Sequence, residues 1–339
     1  MNELGKMSDP QGVPRVTFIE IDEDAAGQRI DNFLLRLCKG VPKSHIYRVL
    51  RSGEVRVNKG RIDATYRLAV GDSVRVPPLR LPSVDERAHA PVPVGAPLPI
   101  LFEDAHLLAI DKPAGTAVHG GSGVSHGVIE QLRHQRPEAR FLELVHRLDR
   151  DTSGVLLLAK KRSALVAMHA QLREGQTDKR YLACVAGDWS EPKRVVTAPL
   201  HKFLTPEGER RVAVRDDGQR AHTIFRLRER FAGYALVEAE LKTGRTHQIR
   251  VHLAHLGRPI VGDDKYGDFA LNKALARQGA QPGLNRMFLH AARLGFTHPA
   301  SGEAMHLEAA LPLACERFLG QLREVARTPT PAPAPTPTH

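Results

Sequence analysis

A nine-residue stretch, His146-Arg147-Leu148-Asp149-Arg150-Asp151-Thr152-Ser153-Gly154, runs directly into Val155-Leu156-Leu157-Leu158-Ala159. The second run is short, continuous and apolar, which predicts a buried strand. The first is too polar for a core. Together they hold Asp149 among arginines at the lip of a rigid element. A carboxylate that only keeps a protein soluble needs no such placement. A nucleophile or general base does, because rate depends on one held geometry. The structural alternative is a salt-bridged surface turn. For Asp151, pairing with Arg147 or Arg150 to shape the loop is the stronger reading.

Charge narrows the partner. Lys and Arg number 49 against 38 Asp and Glu, a formal +11 over 339 residues, which favours a polyanion over a neutral metabolite. Residues 28–80 hold twelve Lys or Arg and four Asp or Glu, a local excess of eight. Within that segment Asp31 to Leu37 reads as a short helix. Pro42-Lys43-Ser44 with Ile46, Val49 and Leu50 reads as a second helix, capped by Ser44 and stopped by Gly53. Glu54 to Asn58 alternates in period two, a turn follows at Asn58-Lys59-Gly60, and Ser73 to Val76 reads as another strand. Lys43, Arg48, Arg51, Arg56, Lys59 and Arg61 fall at helix starts, exposed helix positions and strand ends, where they can reach phosphates. A solvated basic face is the bland alternative.

No apolar signal segment opens the chain and no run of about 18 uncharged apolar residues occurs, so a cytoplasmic location without a membrane partner is expected. Cys38, Cys184 and Cys315 are odd in number and far apart, which predicts buried small hydrophobes and neither a disulfide framework nor a metal motif. Residues 81–99 are Pro- and Ala-rich and read as a linker. Residues 328–339 alternate Pro with Thr and Ala, a composition that cannot build a core and predicts a disordered tail.

Between linker and tail, strands and short helices interleave without a regular βαβ beat, so an α+β domain is expected. Leu107 to Ile110 and Lys179 to Val185 read as strands. Tyr234 to Leu241 alternates, with Glu238 and Glu240 assigned to a wet face. The helix after Ser163 places Leu165, Met168 and Leu172 in the core. A second dense motif, Thr243-Gly244-Arg245-Thr246-His247-Gln248-Ile249-Arg250-Val251-His252, predicts a helix capped by Thr246, with Ile249, Leu253 and Leu256 inward and Gly257 as its stop. Arg245 then lies just before a helix N-terminus, a poor place for a cation unless an anion such as Asp149 or a phosphate is near. His247, His252 and His255 lack the i, i+4 spacing of a zinc helix, so polar-core or RNA-facing histidines are expected and no metal. Gly120 to Gly123 resembles a phosphate cradle only loosely, because no Gly-Lys-Ser/Thr closes it.

Two resemblances are carried by these residues. Arg29 to Leu34, Val41 to Ser44, Arg51 to Asn58 and Gly71-Asp72 look like the S-four-type RNA-binding domain, over about residues 28–78. His146 to Gly154, Lys112 to Gly115, Lys179 to Tyr181, Gly244 to His252 and Pro259 to Gly267 resemble the ribosomal large subunit pseudouridine synthase A family, over about residues 100–320. The resemblance implies a mixed, mainly antiparallel sheet domain preceded by a small α+β RNA-binding domain. It also implies an organisation: an extension at 1–27, the RNA-binding domain at 28–80, the linker at 81–99, the catalytic domain at 100–327 and the tail. The implied substrate is uridine in large-subunit ribosomal RNA, without a cofactor or an obligate protein partner, and the chain is expected to act as a monomer.

By the same resemblance Asp149 matches the catalytic aspartate, Tyr181 the active-site tyrosine against the target base, and Arg245 the arginine that pairs with the aspartate and keeps it ionised. Arg29, Lys43, Ser44, Arg48, Arg51, Arg56, Lys59 and Arg147 are the expected RNA contacts. Asp149 would act on the ribose as nucleophile or base, or add to C6 of the ring. Two rival classes stay open at this level: an N-glycosidase using Asp149 with Asp151 and releasing uracil, and a non-catalytic assembly factor needing only the basic module.

Overall fold

The computed structural model describes residues 15–23, 25–38, 41, 43–79, 97–120, 127–206, 208–277 and 279–327. The linker up to residue 96, the glycines at Gly121 and Gly123, the side chain of Lys43 and the tail from 328 lie outside the described residues. The chain forms two compact units, one before the linker and one after it.

In the N-terminal unit, strand β1 (Thr17–Glu20) is followed by helices α1 (Ile30–Leu37) and α2 (Lys43–Arg51) and strands β2 (Arg56–Val57) and β3 (Ser73–Val76). Ile30, Phe33 and Leu34 on α1 and Ile46, Val49 and Leu50 on α2 share one buried core, as helical spacing requires. The helix starts at Lys43, so Ser44 lies exposed within the first turn and does not cap it. Gly53, with φ 73°, ends α2 by donating to the Leu50 carbonyl at 3.1 Å. Asn58 and Lys59, with φ 48° and 67°, form a two-residue turn between Val57 and Gly60. The packed unit also includes residues upstream of the expected boundary at residue 28. β1 pairs antiparallel with β3 from Thr17↔Val76 to Glu20↔Ser73, and Ile19 and Ile21 enter the same core, so the module starts upstream of the basic segment.

Arg48, Arg51, Arg56, Lys59 and Arg61 are all exposed. Two of them are gathered by the end of α2: Arg56 Nε donates to Gly53 O at 3.2 Å and Arg61 Nη2 to Ser52 O at 2.8 Å. Carbonyls at a helix C-terminus attract cations, so the helix itself builds part of the basic patch. Arg29 is half committed, since its guanidinium pairs with buried Asp31 at 2.7 Å.

The C-terminal unit carries strands β4 (Ile100–Glu103), β5 (Leu107–Lys112), β6 (Glu143–Leu144), β7 (Ser153–Ala159), β8 (Asp178–Ala186), β9 (Lys193–Val196), β10 (Leu200–Leu204), β11 (Arg210–Val214), β12 (Thr223–Phe231), β13 (Tyr234–Leu241), β14 (Leu289–Thr297) and β15 (Ala304–Glu308). Its helices are α3 (Val128–Gln135), α4 (Arg162–Glu174), α5 (Gln248–His255), α6 (Phe269–Leu275) and α7 (Leu313–Arg327). A ten-stranded sheet runs β4-β5-β7-β14-β8-β13-β12-β9, with β15 on β14 and β6 on β7, while β10 and β11 form a separate hairpin. The β7–β14 pair is parallel and the other pairings of the sheet are antiparallel, so the mixed, mainly antiparallel α+β expectation holds.

All seven residues of β7 are buried. Its even-numbered leucines, Leu156 and Leu158, join one core with Leu108 and Ile110. Val155, Leu157 and Ala159 join another with Leu107, Ala109 and the α4 residues Leu165 and Met168. Gly154, with φ 109°, lets β14 approach: a Cβ there would stand 2.2 Å from the Ala291 carbonyl oxygen. The three cysteines are free and buried.

The wet face of β13 is a correction. Glu238 and Glu240 are 8% and 5% exposed, because arginines of the neighbouring strands close over them. Glu240 pairs with Arg180 at 2.8 Å, Arg226 at 2.5 Å and Lys242. Glu238 pairs with Arg180 at 3.3 Å and Arg228. Burial raises the Glu240 carboxyl, but the Lys242 and Arg226 hydrogen bonds and the Arg180 charge outweigh it and bring the pKa to about 2. A carboxylate with a lowered folded pKa adds stability above its unfolded value near 4.3, and that stability fades as pH falls toward 2. Glu240→Leu should cost about 2 kcal/mol in urea denaturation at pH 7. That is less than for a fully buried pair, since Arg226 and Lys242 stay partly exposed and rehydrate. The variant should also lose less stability than wild type on acidification below pH about 4.3. Unchanged stability at pH 7 contradicts this account of the cluster.

Candidate active site

The segment from His146 to Thr152 leaves β6 and turns into β7, with Thr152 N donating to Asp149 O at 3.2 Å. Two anchors hold the turn. His146 Nε2 accepts the Leu157 N–H at 3.1 Å, and burial first, with the Lys179 charge, pushes this imidazole down to about 4, so it stays neutral as an acceptor. Lys112, fully buried at the end of β5, donates to the carbonyls of Pro113, Thr116 and Arg150 at 2.7, 2.8 and 2.9 Å. Burial draws its pKa down to about 7 against the charges of Asp151 and Asp149. The three carbonyls, which need all three donors of an ammonium, favour the charged form. Asp151 pairs with Arg150 at 3.3 Å, as the loop-shaping reading expected.

Asp149 is about a quarter exposed and lines a cleft of about 710 Å³. Leu148, Tyr181, Ile249 and Leu289 contribute apolar wall, while Arg147, Arg173, Lys179, Lys202, Lys242 and Arg245 supply cations. Such a lining suits a planar base joined to phosphates. Tyr181 is 8% exposed. Burial, and then the Asp149 charge, raise its hydroxyl far above the usual phenol value, so it remains a neutral O–H.

The guanidinium on Asp149 belongs to Arg250. Its Nη1 lies 3.2 Å from Asp149 Oδ2, and the side chain is 3% exposed. Asp263 grips the same guanidinium twice, Nε to Oδ2 and Nη2 to Oδ1, both at 2.7 Å, and Asp264 adds a contact at 3.2 Å. The Tyr266 ring lies 5.2 Å from the guanidinium carbon. Burial alone would lower the Arg250 pKa, but the Asp263 hydrogen bonds and charge, and then Asp149, raise it, so the cation is secure. Asp263 is fixed in turn by the backbone N–H groups of Lys265 and Tyr266 at 2.9 and 3.0 Å.

Arg245 is thus corrected as the partner of Asp149. It lines the cleft but is exposed, and its Nε donates to the Arg220 carbonyl at 3.1 Å. The cause is the start of α5. The helix begins at Gln248 after His247 in the left-handed region, so residues before it turn outward and Arg250 falls on the buried side. Thr246 does not cap the helix either. The Gln248 side chain ties the entry instead, its Oε1 accepting from Thr243 Oγ1 at 2.8 Å and Arg245 N at 3.0 Å. A sequence signal for Arg250 existed: an arginine inside Ile249, Val251 and Leu253 must meet buried acid, and Asp263-Asp264 come after it. His252 is a core histidine between Thr223 Oγ1 and the Ala198 carbonyl, both at 2.9 Å. His247 faces the cleft, its Nε2 3.9 Å from Asp149 Oδ1. Arg147 is exposed on the rim.

Comparison with known proteins bears on this cleft. Residues 106–255 match the family model of RNA pseudouridylate synthase, and residues 28–74 match the S4 domain. The Escherichia coli K12 protein named ribosomal large subunit pseudouridine synthase C is 55% identical over 314 residues, covering 91% of this chain and 98% of its own. The Yersinia pestis protein of the same name is 56% identical over 316 residues, covering 92% and 98%. Among solved structures, human RNA pseudouridylate synthase domain containing 4 aligns with TM-score 0.53 and 28% identity, over 66% of this chain and 93% of its own. Among the described residues no helix is long and apolar enough to cross a membrane. A chain that matches full-length relatives at this identity, with Asp149 and Arg250 meeting inside the matched region, belongs to the RNA pseudouridine synthase family and carries an S4 domain ahead of the synthase domain.

Proposed function

We propose that the protein isomerises uridines of large-subunit ribosomal RNA to pseudouridine, with Asp149 acting on an extruded target nucleotide. The observation that carries this reading is the carboxylate of Asp149, clamped by Arg250 and open to a cleft whose wall is apolar and whose rim is cationic. The names of the relatives supply the RNA class. The reaction balances within the substrate: the N1–C1′ bond breaks, the uracil turns, C5 bonds to C1′, and the proton lost from C5 is balanced by one gained at N1. Nothing outside the nucleotide is consumed, so the reading calls for no cofactor.

A uridine in folded RNA is stacked or paired, and turning it out costs a few kcal/mol. Stacking on the Tyr181 ring and phosphate contacts on the rim offset that cost. Tyr181 enters as a neutral phenol that can donate but cannot serve as a resting base. Attack at C1′, addition to C6 and proton removal from the ribose all start from the same Asp149 side chain. The exposed cations Arg48, Arg51, Arg56 and Lys59, with Ser44 beside them, bind the RNA backbone in this reading, as does Arg147. Arg29 and Lys43 complete that set. In this reading the protein acts as a monomer without an obligate protein partner, in the cytoplasm where its RNA is.

Asp149→Asn should abolish pseudouridine formation while RNA binding persists, read by chromatography of digested RNA. Wild-type activity in the variant would falsify the assignment, and free uracil from the wild type would make the protein a glycosidase. Arg250→Lys keeps a charge but loses the fork that spans Asp263 and Asp149, and the single-turnover rate should fall about a hundredfold. Arg250→Ala should unfold more easily by about 3–5 kcal/mol, since buried Asp263 is left unpaired. Arg245→Ala should keep wild-type stability, and a stability loss equal to that of Arg250→Ala would reverse the assignment of the pair. Arg51→Ala should weaken RNA affinity and lower the salt slope by about 1 with the chemical step unchanged. An unaltered slope removes Arg51 from the phosphate contacts.

A further inference from the structure

His247 occupies a position that helix formation does not explain. It is a non-glycine residue with φ 52°, a conformation that costs on the order of 1–3 kcal/mol and survives where surrounding structure imposes it. It stands at the N-cap of α5 yet makes no capping hydrogen bond with its side chain. What the strained backbone achieves is to aim the imidazole between two groups. Nδ1 lies 2.8 Å from the Tyr266 hydroxyl, and Nε2 lies 3.9 Å from Asp149 Oδ1, the oxygen that Arg250 does not hold.

The hydrogen-bond chain favours one tautomer. The Tyr266 oxygen accepts the Val212 N–H at 3.0 Å, which leaves its own proton free for His247 Nδ1. A neutral imidazole that accepts at Nδ1 carries its hydrogen on Nε2, toward the carboxylate. The neutral form is favoured: burial lowers the pKa first, Arg250 and Lys265 lower it further, and Asp149 and Asp263 oppose them. Tyr266 also carries the Arg250 guanidinium against its ring and donates its backbone N–H to Asp263. One tyrosine thus braces both groups that face Asp149.

We propose that His247 is a positioning residue for the reaction: held by the Tyr266 hydroxyl as the Nε2–H tautomer, it steadies Asp149 Oδ1 while Arg250 steadies Oδ2. The inference rests on the role of Asp149 proposed above. At 3.9 Å the contact is longer than a hydrogen bond, and catalytic hydrogen bonds that are long in the free enzyme tighten when substrate binds. With both oxygens restrained, the carboxylate cannot swing about its terminal torsion and meets the nucleotide in one orientation.

The test uses the full-length protein. His247→Gly removes the imidazole at a backbone position glycine adopts without strain. Its single-turnover rate on saturating RNA should fall about 10- to 100-fold while the RNA Kd stays within about twofold. Tyr266→Phe, which keeps the ring under Arg250, should show a smaller loss of the same kind. Nitrogen-15 NMR of labelled histidines in the wild type should find His247 protonated at Nε2, with that preference lost in Tyr266→Phe. A wild-type rate in His247→Gly, or an Nδ1–H tautomer in the wild type, overturns the proposal. Asp149→Asn is run alongside. If that variant is inactive and His247→Gly is not impaired, only the role of His247 falls. If Asp149→Asn is active, the reading beneath it falls as well.

Discussion

A guanidinium that is 3% exposed cannot persist without anions, and the architecture of the C-terminal unit answers that need at Arg250. Asp263 takes two of its donors and is itself almost fully buried, so this pair would be neutralised or expelled if either member were absent. Asp149 and Asp264 complete the set, and of the acids on Arg250 it is Asp149 that lines the cleft. The arrangement separates two tasks that a lone ion pair would confuse. Asp263 satisfies the cation permanently, which leaves Asp149 attracted to it and still exposed enough to meet another molecule.

The rest of the unit is arranged so that Asp149 arrives at this cation from the far side of the sequence. β7 supplies the rigid base, buried on both faces, and Gly154 allows β14 to close in beside it. Lys112 and His146 then tie the intervening turn to backbone groups on either side. None of these contacts is chemical in role, yet together they remove the freedom that would let the carboxylate drift from Arg250.

Legibility in the sequence followed the physical range of each signal. The apolar run Val155 to Ala159 and the spacing of Ile249 and Leu253 report burial locally, so β7 and the body of α5 were readable. Arg250 carried a signal of burial but not of its role, because that depends on Asp263, thirteen positions away and on a loop. Attention to the helix terminus pointed to Arg245 instead. Glu238 and Glu240 looked solvent-facing because alternation records only the strand's own pattern, while the arginines that cover them come from β8 and β12. β1 escaped because four residues outside a recognisable motif carry too little pattern. The His247 to Tyr266 contact joins two motifs whose proximity no spacing encodes.

β8 has a consequence of its own. Successive residues of a strand point to opposite sides, so Lys179 and Tyr181 line the cleft while Asp178 and Arg180 belong to the ion-pair cluster behind it. The charged groups answer differently to ionic strength. Exposed cations on the rim and behind the sheet are screened over a Debye length of about 8 Å at physiological salt, whereas the Arg250 cluster is sheltered from mobile ions. A rise in salt would therefore weaken the rim's hold on an anion and leave the carboxylate's setting intact, so that the two answer to separate electrostatic reservoirs around one cleft.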